Sequence, residues 1–258
     1  MFRLFGIQLA VHASFLLLLV YAAVRGWSGG GGWMGVLVSV LLTIAFFICV
    51  VLHELGHSLM ARRYGVQVPR ILLMPIGGMA EFDRIPRRPS AELLITIAGP
   101  AVNFVIFGVL AAGLGLPPGF PWDAEFEDSF TGLGQLLLYW NALMGCFNLL
   151  PVFPMDGGRI LRALLARKLP YLRATYWAAT VGKVLALVLG ALAVFYFQHL
   201  MLAVLFAFIY FAGDTEYRML LRREQEAAYW AEVARRVPGG DDRSGDGPQP
   251  PLLFHGPN

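Results

Sequence analysis

Long apolar runs separated by short polar segments dominate this chain. A helix rises 1.5 Å per residue, so about 20 apolar residues cross roughly 30 Å of hydrocarbon. On that measure the pattern predicts helices over Leu4–Val24, Met34–Leu52, Leu93–Leu116, Phe130–Leu150, Thr175–Phe197 and Leu200–Tyr217. Gln8, His12 and Ser14 interrupt the first run, and glycine-rich Gly26–Gly32 follows it. The fourth stops at N-L-L-P-V-F-P-M-D-G-G-R (148–159), whose prolines and glycines forbid a continuous helix. The last two are divided at Gln198-His199, because together they are too long for one crossing even with tilt. The expected fold is an all-α polytopic membrane protein with about six transmembrane helices. Residues 1–217 form its membrane domain. Residues 218–237 read as a cytoplasmic amphipathic helix on the membrane surface, and residues 238–258, rich in Gly, Pro and Asp, as a disordered tail.

Composition agrees with a bilayer as solvent. The chain is 57% hydrophobic and 14% charged, too apolar for an ordinary soluble domain. The net charge of +3 is carried by arginines that lie between apolar spans, which reads as topology and not as nucleic-acid binding. Arg62, Arg63, Arg70, Arg84, Arg87 and Arg88 follow the second run, and Arg159, Arg162, Arg167, Lys168 and Arg173 follow the fourth. The loop after the third holds only acids, Asp123, Glu125, Glu127 and Asp128. This alternation predicts six spans with both termini cytoplasmic. Cys49 and Cys146 lie in apolar runs and suggest neither a disulfide framework nor a C-x-x-C metal site. The first run has no small-residue cleavage site after it and is expected to be retained.

Polar chemistry is concentrated at the end of the second run, in V-V-L-H-E-L-G-H-S (50–58). His53, Glu54 and His57 fit H-E-x-x-H. Residues four apart share a helix face, so both imidazoles can bind one zinc ion while Glu54 takes a proton from a metal-activated water. The competing reading is a chance match at a helix end, with solvated histidines. Gly56 leaves room for close helix approach. A catalytic zinc takes three protein ligands and one open position. Candidates for the third are Asp156, His12, Glu81, Asp83 and Asp214. Asp156 stands out because it follows the fourth span, on the same side as His57, in an irregular segment of the kind that lines cavities. It could equally N-cap a helix from Gly157 to Lys168, and spacing leaves both readings open. Cys49, one turn before His53, reads as packing. Asn148 either orients a ligand or oxyanion or satisfies carbonyls freed next to Pro151. Asn103 fits interhelical hydrogen bonding.

H-E-L-G-H (53–57), A-G-P-A-V-N (98–103) and N-L-L-P-V-F-P-M-D-G-G-R (148–159) together resemble the site-2 protease family of intramembrane zinc metalloproteases. G-I-Q-L-A-V-H-A-S-F-L-L-L-L (6–19) and M-P-I-G-G-M-A-E-F (74–82) are similar to its bacterial and archaeal members. The resemblance implies that His53, His57 and Asp156 hold one Zn2+ per chain and that Glu54 is the catalytic acid/base. It also implies that residues 70–80, with Pro75, Gly77 and Gly78, form a short re-entrant strand-like loop that pairs with substrate; the competing reading is a plain interfacial loop. His12 would be structural or a partner of a ligand. Many relatives carry a PDZ or CBS domain, and none is expected here.

The leading expectation is therefore an intramembrane zinc endopeptidase in a plasma membrane. It would cleave transmembrane segments of other proteins near the cytoplasmic face, with lipids and a regulatory membrane partner around it. The alternatives are a non-catalytic scaffold or chaperone, in which Glu54 would have no purpose, and a metal transporter. Transporters often show interrupted helices in repeated halves, and no internal repeat is visible.

Overall fold

The computed structural model describes residues 2–75, 77–83, 86–116 and 130–236. The acidic loop Asp123–Asp128 and the tail 238–258, on which the expected orientation and disorder depended, lie outside the described residues.

The chain opens with a hairpin of two strands, β1 (Phe2–Leu4) and β2 (Ile7–Val11). Phe5 and Gly6 both take positive φ, 51° and 80°, as the tightest two-residue hairpin turn requires. This corrects the expected first span. Phe2–Val11 is apolar enough to raise a windowed hydropathy, but Arg3 and Gln8 face each other across a strand pair. β2 then pairs in parallel with β3 (Arg70–Met74), which pairs antiparallel with β4 (Gly77–Ala80). The result is a four-stranded sheet in the order β1-β2-β3-β4, so the fold is mostly helical but not all-α. The segment expected as a strand-like loop is the β3–β4 hairpin, with Pro75 in its turn. The inner face of the sheet, through Ile7 and Ile71, packs with Leu55 and Ala61 of the second helix and Ile95 of the third.

Helix α1 (Ser14–Gly26) has 13 residues and would reach only about 20 Å. A widened turn over Trp27–Gly31, with Gly30 at φ 86°, reverses the chain into α2 (Gly32–Arg63). The two helices pack backbone against backbone: a β-carbon on Gly26 would meet the Gly35 carbonyl at 2.2 Å. Lower down, the Phe15 and Phe47 rings meet edge to face at 4.7 Å. The H-E-x-x-H sequence does not close α2; it lies inside the helix, which continues to Arg63.

Helix α3 (Pro89–Leu114) starts on a proline, which needs no donor there, and contains Pro100. Next come α4 (Phe130–Asn148), the short α5 (Asp156–Leu165), α6 (Tyr171–Phe195) and α7 (Leu200–Arg236). α7 runs unbroken through residue 217, so the separate helix expected over 218–237 is its continuation. After Gly213 no glycine or proline occurs before Pro238 to stop it. Among the described residues four stretches are long and apolar enough to cross a membrane: Ser14–Arg63, Pro89–Leu114, Tyr171–Phe195 and Leu200–Val233. The first of these is folded back at its turn. α4, an expected span, is not among them; Gln135, Asn141 and Asn148 interrupt it.

α5 is clamped beneath the bundle by a buried ion pair. The Arg162 guanidinium donates to Glu92 of α3 through Nε at 2.8 Å and to Glu216 of α7 through Nη1 at 3.0 Å. It lies over the rings of Phe153 and Tyr171 at 5.3 and 5.1 Å. Arg162 and Glu92 are each 2% exposed, so this network fixes the position of α5 between α3, α6 and α7.

Candidate metal centre

The i, i+4 spacing of His53 and His57 on α2 brings their Nε2 atoms to 3.1 Å from each other. α5 begins at Asp156, whose Oδ2 lies 3.4 Å from His53 Nε2 and 3.1 Å from His57 Nε2. Among the described residues these three form the one group able to share a metal ion, and all three are buried. The helix cap that competed for Asp156 does not form. The cap position belongs to Met155, and no side chain caps the helix. α5 starts here because the turn before it packs tightly: a β-carbon on Gly157 would meet the Leu150 carbonyl at 2.1 Å.

The hydrogen bonds decide what the ring nitrogens offer. His57 Nδ1 donates to the Ile95 carbonyl at 2.8 Å. His53 Nδ1 donates to Asn103 Oδ1 at 2.6 Å. Each imidazole spends its N–H on a fixed acceptor, so both Nε2 atoms present lone pairs to the shared centre. The Asp156 Oδ2 facing them is buried without a hydrogen-bond donor. Lone pairs converging in a buried space repel unless a cation lies between them. The spacing fits one: two ligands about 2.0–2.1 Å from a tetrahedral zinc are about 3.3 Å apart.

Glu54 is half-buried beside the group, and the backbone N–H of Ala80 in β4 donates to its Oε2 at 3.3 Å. Gly78 of the same strand sits on it, since a β-carbon there would lie 2.7 Å from Glu54 Cγ. β4 is thus an edge strand laid over the carboxylate, held just beyond Ala80 where Glu81 N donates to Arg70 O.

Other sequence candidates lie elsewhere. His12 is exposed and shares a 2.7 Å hydrogen bond with Ser14. Glu81 pairs with Arg70 at 2.7 Å. Asp214 is taken up by Lys183 and Arg218, and Asp83 lines a separate cleft with Arg87 and Arg223. Asn148 donates its amide to the Met144 carbonyl of its own helix at 3.0 Å. Cys49 faces Asn141, not the metal group. Sequence reasoning missed three contributors: the Ile95 carbonyl, Asn141, and Gly99, which makes room for His57. Asn141 carried a signal, as a lone amide in an apolar run. A backbone carbonyl carries none.

Comparison with known proteins agrees with this geometry. The sequence model described as peptidase family M50 matches residues 41–133 and 123–189. The zinc metalloprotease MJ0392 of Methanocaldococcus jannaschii is 40% identical over 227 residues, covering 85% of this chain and 60% of the relative. The Synechocystis protein sll0528 is 34% identical over 172 residues, 63% of this chain and 42% of that one. The chain therefore spans less than two thirds of the length of either relative. A solved structure, the site-2 protease from Methanocaldococcus jannaschii, superposes with a TM-score of 0.58 at 39% identity, over 84% of this chain and 94% of that one.

Proposed function

The chain belongs to peptidase family M50, and on that premise we propose that it is an intramembrane zinc endopeptidase that cleaves transmembrane segments of other membrane proteins near the cytoplasmic face. The observation that carries the reading is the convergence of His53 Nε2, His57 Nε2 and Asp156 Oδ2 on one buried point, with the outer nitrogens of both imidazoles already bonded. The names of its relatives make the metal zinc.

In this reading His53, His57 and Asp156 would hold the ion. Zinc bound there supplies a Lewis acid that lowers the pKa of a water toward neutrality and polarises a carbonyl. Glu54 takes the proton from the attacking water and hands it to the leaving amide nitrogen. The Ala80 N–H holds the carboxylate in place for both transfers. β4 ends the sheet, and beyond the Ala80 N–H its outer edge is open to an extended substrate strand, with Pro75, Gly77 and Gly78 shaping that hairpin. Backbone pairing selects little sequence but requires an unwound segment, so helix-breaking residues in the substrate favour cleavage. Asn148 stays a helix-end residue.

The setting proposed is a plasma membrane crossed several times, with both termini cytoplasmic, lipid around the helices, and release of a regulatory fragment under control of a membrane partner. A panel of single-span candidate substrates co-expressed with wild type and with Glu54→Gln tests the activity. Cleavage by the wild type alone supports it. Equal cleavage by both places the chemistry elsewhere, and a metal-loaded protein that cleaves no segment in the panel favours the scaffold alternative.

A further inference from the structure

The two histidines are oriented in different ways. His57 is held by a backbone carbonyl, which no side-chain substitution removes. His53 is held by a side-chain amide, which could in principle present either its oxygen or its nitrogen. Asn103 with its Nδ2 toward His53 would accept no proton from Nδ1. The imidazole would then carry its hydrogen on Nε2, where the metal must bind. Something has to fix the direction of the Asn103 amide.

That direction is set from α4. Asn141 Nδ2 donates to the Leu137 carbonyl one turn earlier at 2.8 Å and to Cys49 Sγ at 3.3 Å. A carbonyl only accepts, so Asn141 must turn its nitrogen to Leu137 and its oxygen the other way. Asn103 Nδ2 donates to that oxygen at 3.0 Å, which turns Asn103 Oδ1 to His53. Asn103 and Asn141 are both 0% exposed, so water cannot substitute for a lost partner. Flipping either amide sets like groups face to face. We propose that Asn141 is a positioning residue for the metal centre: anchored on Leu137 and acting through Asn103, it fixes the His53 tautomer that leaves Nε2 free for the cation. The proposal rests on the reading that His53, His57 and Asp156 bind a metal.

Zinc affinity, measured on the purified full-length protein in detergent by competition with a chromophoric chelator, tests it in two backgrounds. Partners that orient a metal-bound histidine typically change affinity by about 10- to 100-fold. Asn141→Leu should therefore weaken zinc by about that factor while Asn103 is present. Asn103→Asp has no donor with which to face His53 wrongly; although its second oxygen meets Asn141 Oδ1, it should retain measurable zinc binding. In the Asn103→Asp background, Asn141→Leu should then cost nothing further. A packing defect would weaken zinc equally in both backgrounds, and that result, or an unchanged affinity in the first, would overturn the proposal. Asn141→Asp keeps an acceptor for Asn103 but turns a second oxygen toward the Leu137 carbonyl, so it should lose less zinc affinity than Asn103→Leu; it replaces the leucine variant if that one is not recovered folded, and a loss of zinc equal to that of Asn103→Leu would count against the relay. A wild type that binds no zinc would overturn the metal reading itself, which separates the two failures.

Discussion

Gly99 on α3 faces the His57 ring so closely that a β-carbon at that position would lie 2.2 Å from Nε2, the nitrogen turned toward the metal group. Bare backbone is the condition for that imidazole to sit where it does. Gly99→Ala must push the ring off its position, because α3 is held by its own helical bonds and cannot easily yield. Zinc affinity should fall by about tenfold or more, the scale seen when ligand orientation is lost. Chelator competition reads this, and an alanine variant with wild-type affinity would refute the steric account.

Glu54 borders the metal group without belonging to it. Glu54→Gln keeps the shape and removes the base. Zinc content should stay at the wild-type level while turnover drops by about 10²–10⁴-fold, the usual contribution of a positioned acid/base. Metal analysis and a cleavage assay on the same preparation check both halves. Loss of the metal would assign Glu54 a holding role instead.

Gly78 limits the space above Glu54, with a β-carbon there only 2.7 Å from its Cγ and 3.2 Å from Val50 Cγ1. Gly78→Val should displace the carboxylate and lower turnover by up to about 10²-fold, as misplacement by an ångström can. Zinc affinity should be unaffected, because β4 contributes no atom to the group. Full activity in Gly78→Val would remove the hairpin from the account.

The Arg162–Glu92 pair is 2% exposed on both sides, with the guanidinium Nη2 2.6 Å from Glu92 Oε1. Removing one partner strands a charge. Arg162→Met should destabilise the protein by about 3–5 kcal/mol, and Arg162→Met with Glu92→Gln should recover part of that loss. Thermal unfolding in detergent measures it. Because the same network positions α5, and with it Asp156, the single variant should also bind zinc less tightly. Equal stability of all three proteins would show that the clamp is unimportant.

The sequence exposed those parts of the site that are local. His53 and His57 share a face because four residues make about one helical turn, and no tertiary information is needed for that. Asp156 lies about 100 residues further along, where spacing could not separate a ligand from a helix cap; motif resemblance could, and the geometry now puts its Oδ2 against both imidazoles. Asn141, Gly99 and the Ile95 carbonyl act only through the packing of α3 and α4 on α2, which apolar periodicity does not specify. The fold was legible to a similar depth. Hydropathy found α2, α3, α6 and the start of α7, but it averaged over the period of two in Phe2–Val11 and so began the first span inside the strand pair that precedes α1. It also set a boundary at residue 217 because polarity changes there, although backbone hydrogen bonding continues to Arg236.

The most direct test of the central claim is the zinc stoichiometry of the purified protein and of Asp156→Ala. The account predicts one zinc per chain in the wild type and a large loss in the variant, since two imidazoles alone do not complete the three-ligand site. A variant that holds zinc in the same amount and with the same affinity as the wild type would contradict the metal centre described here.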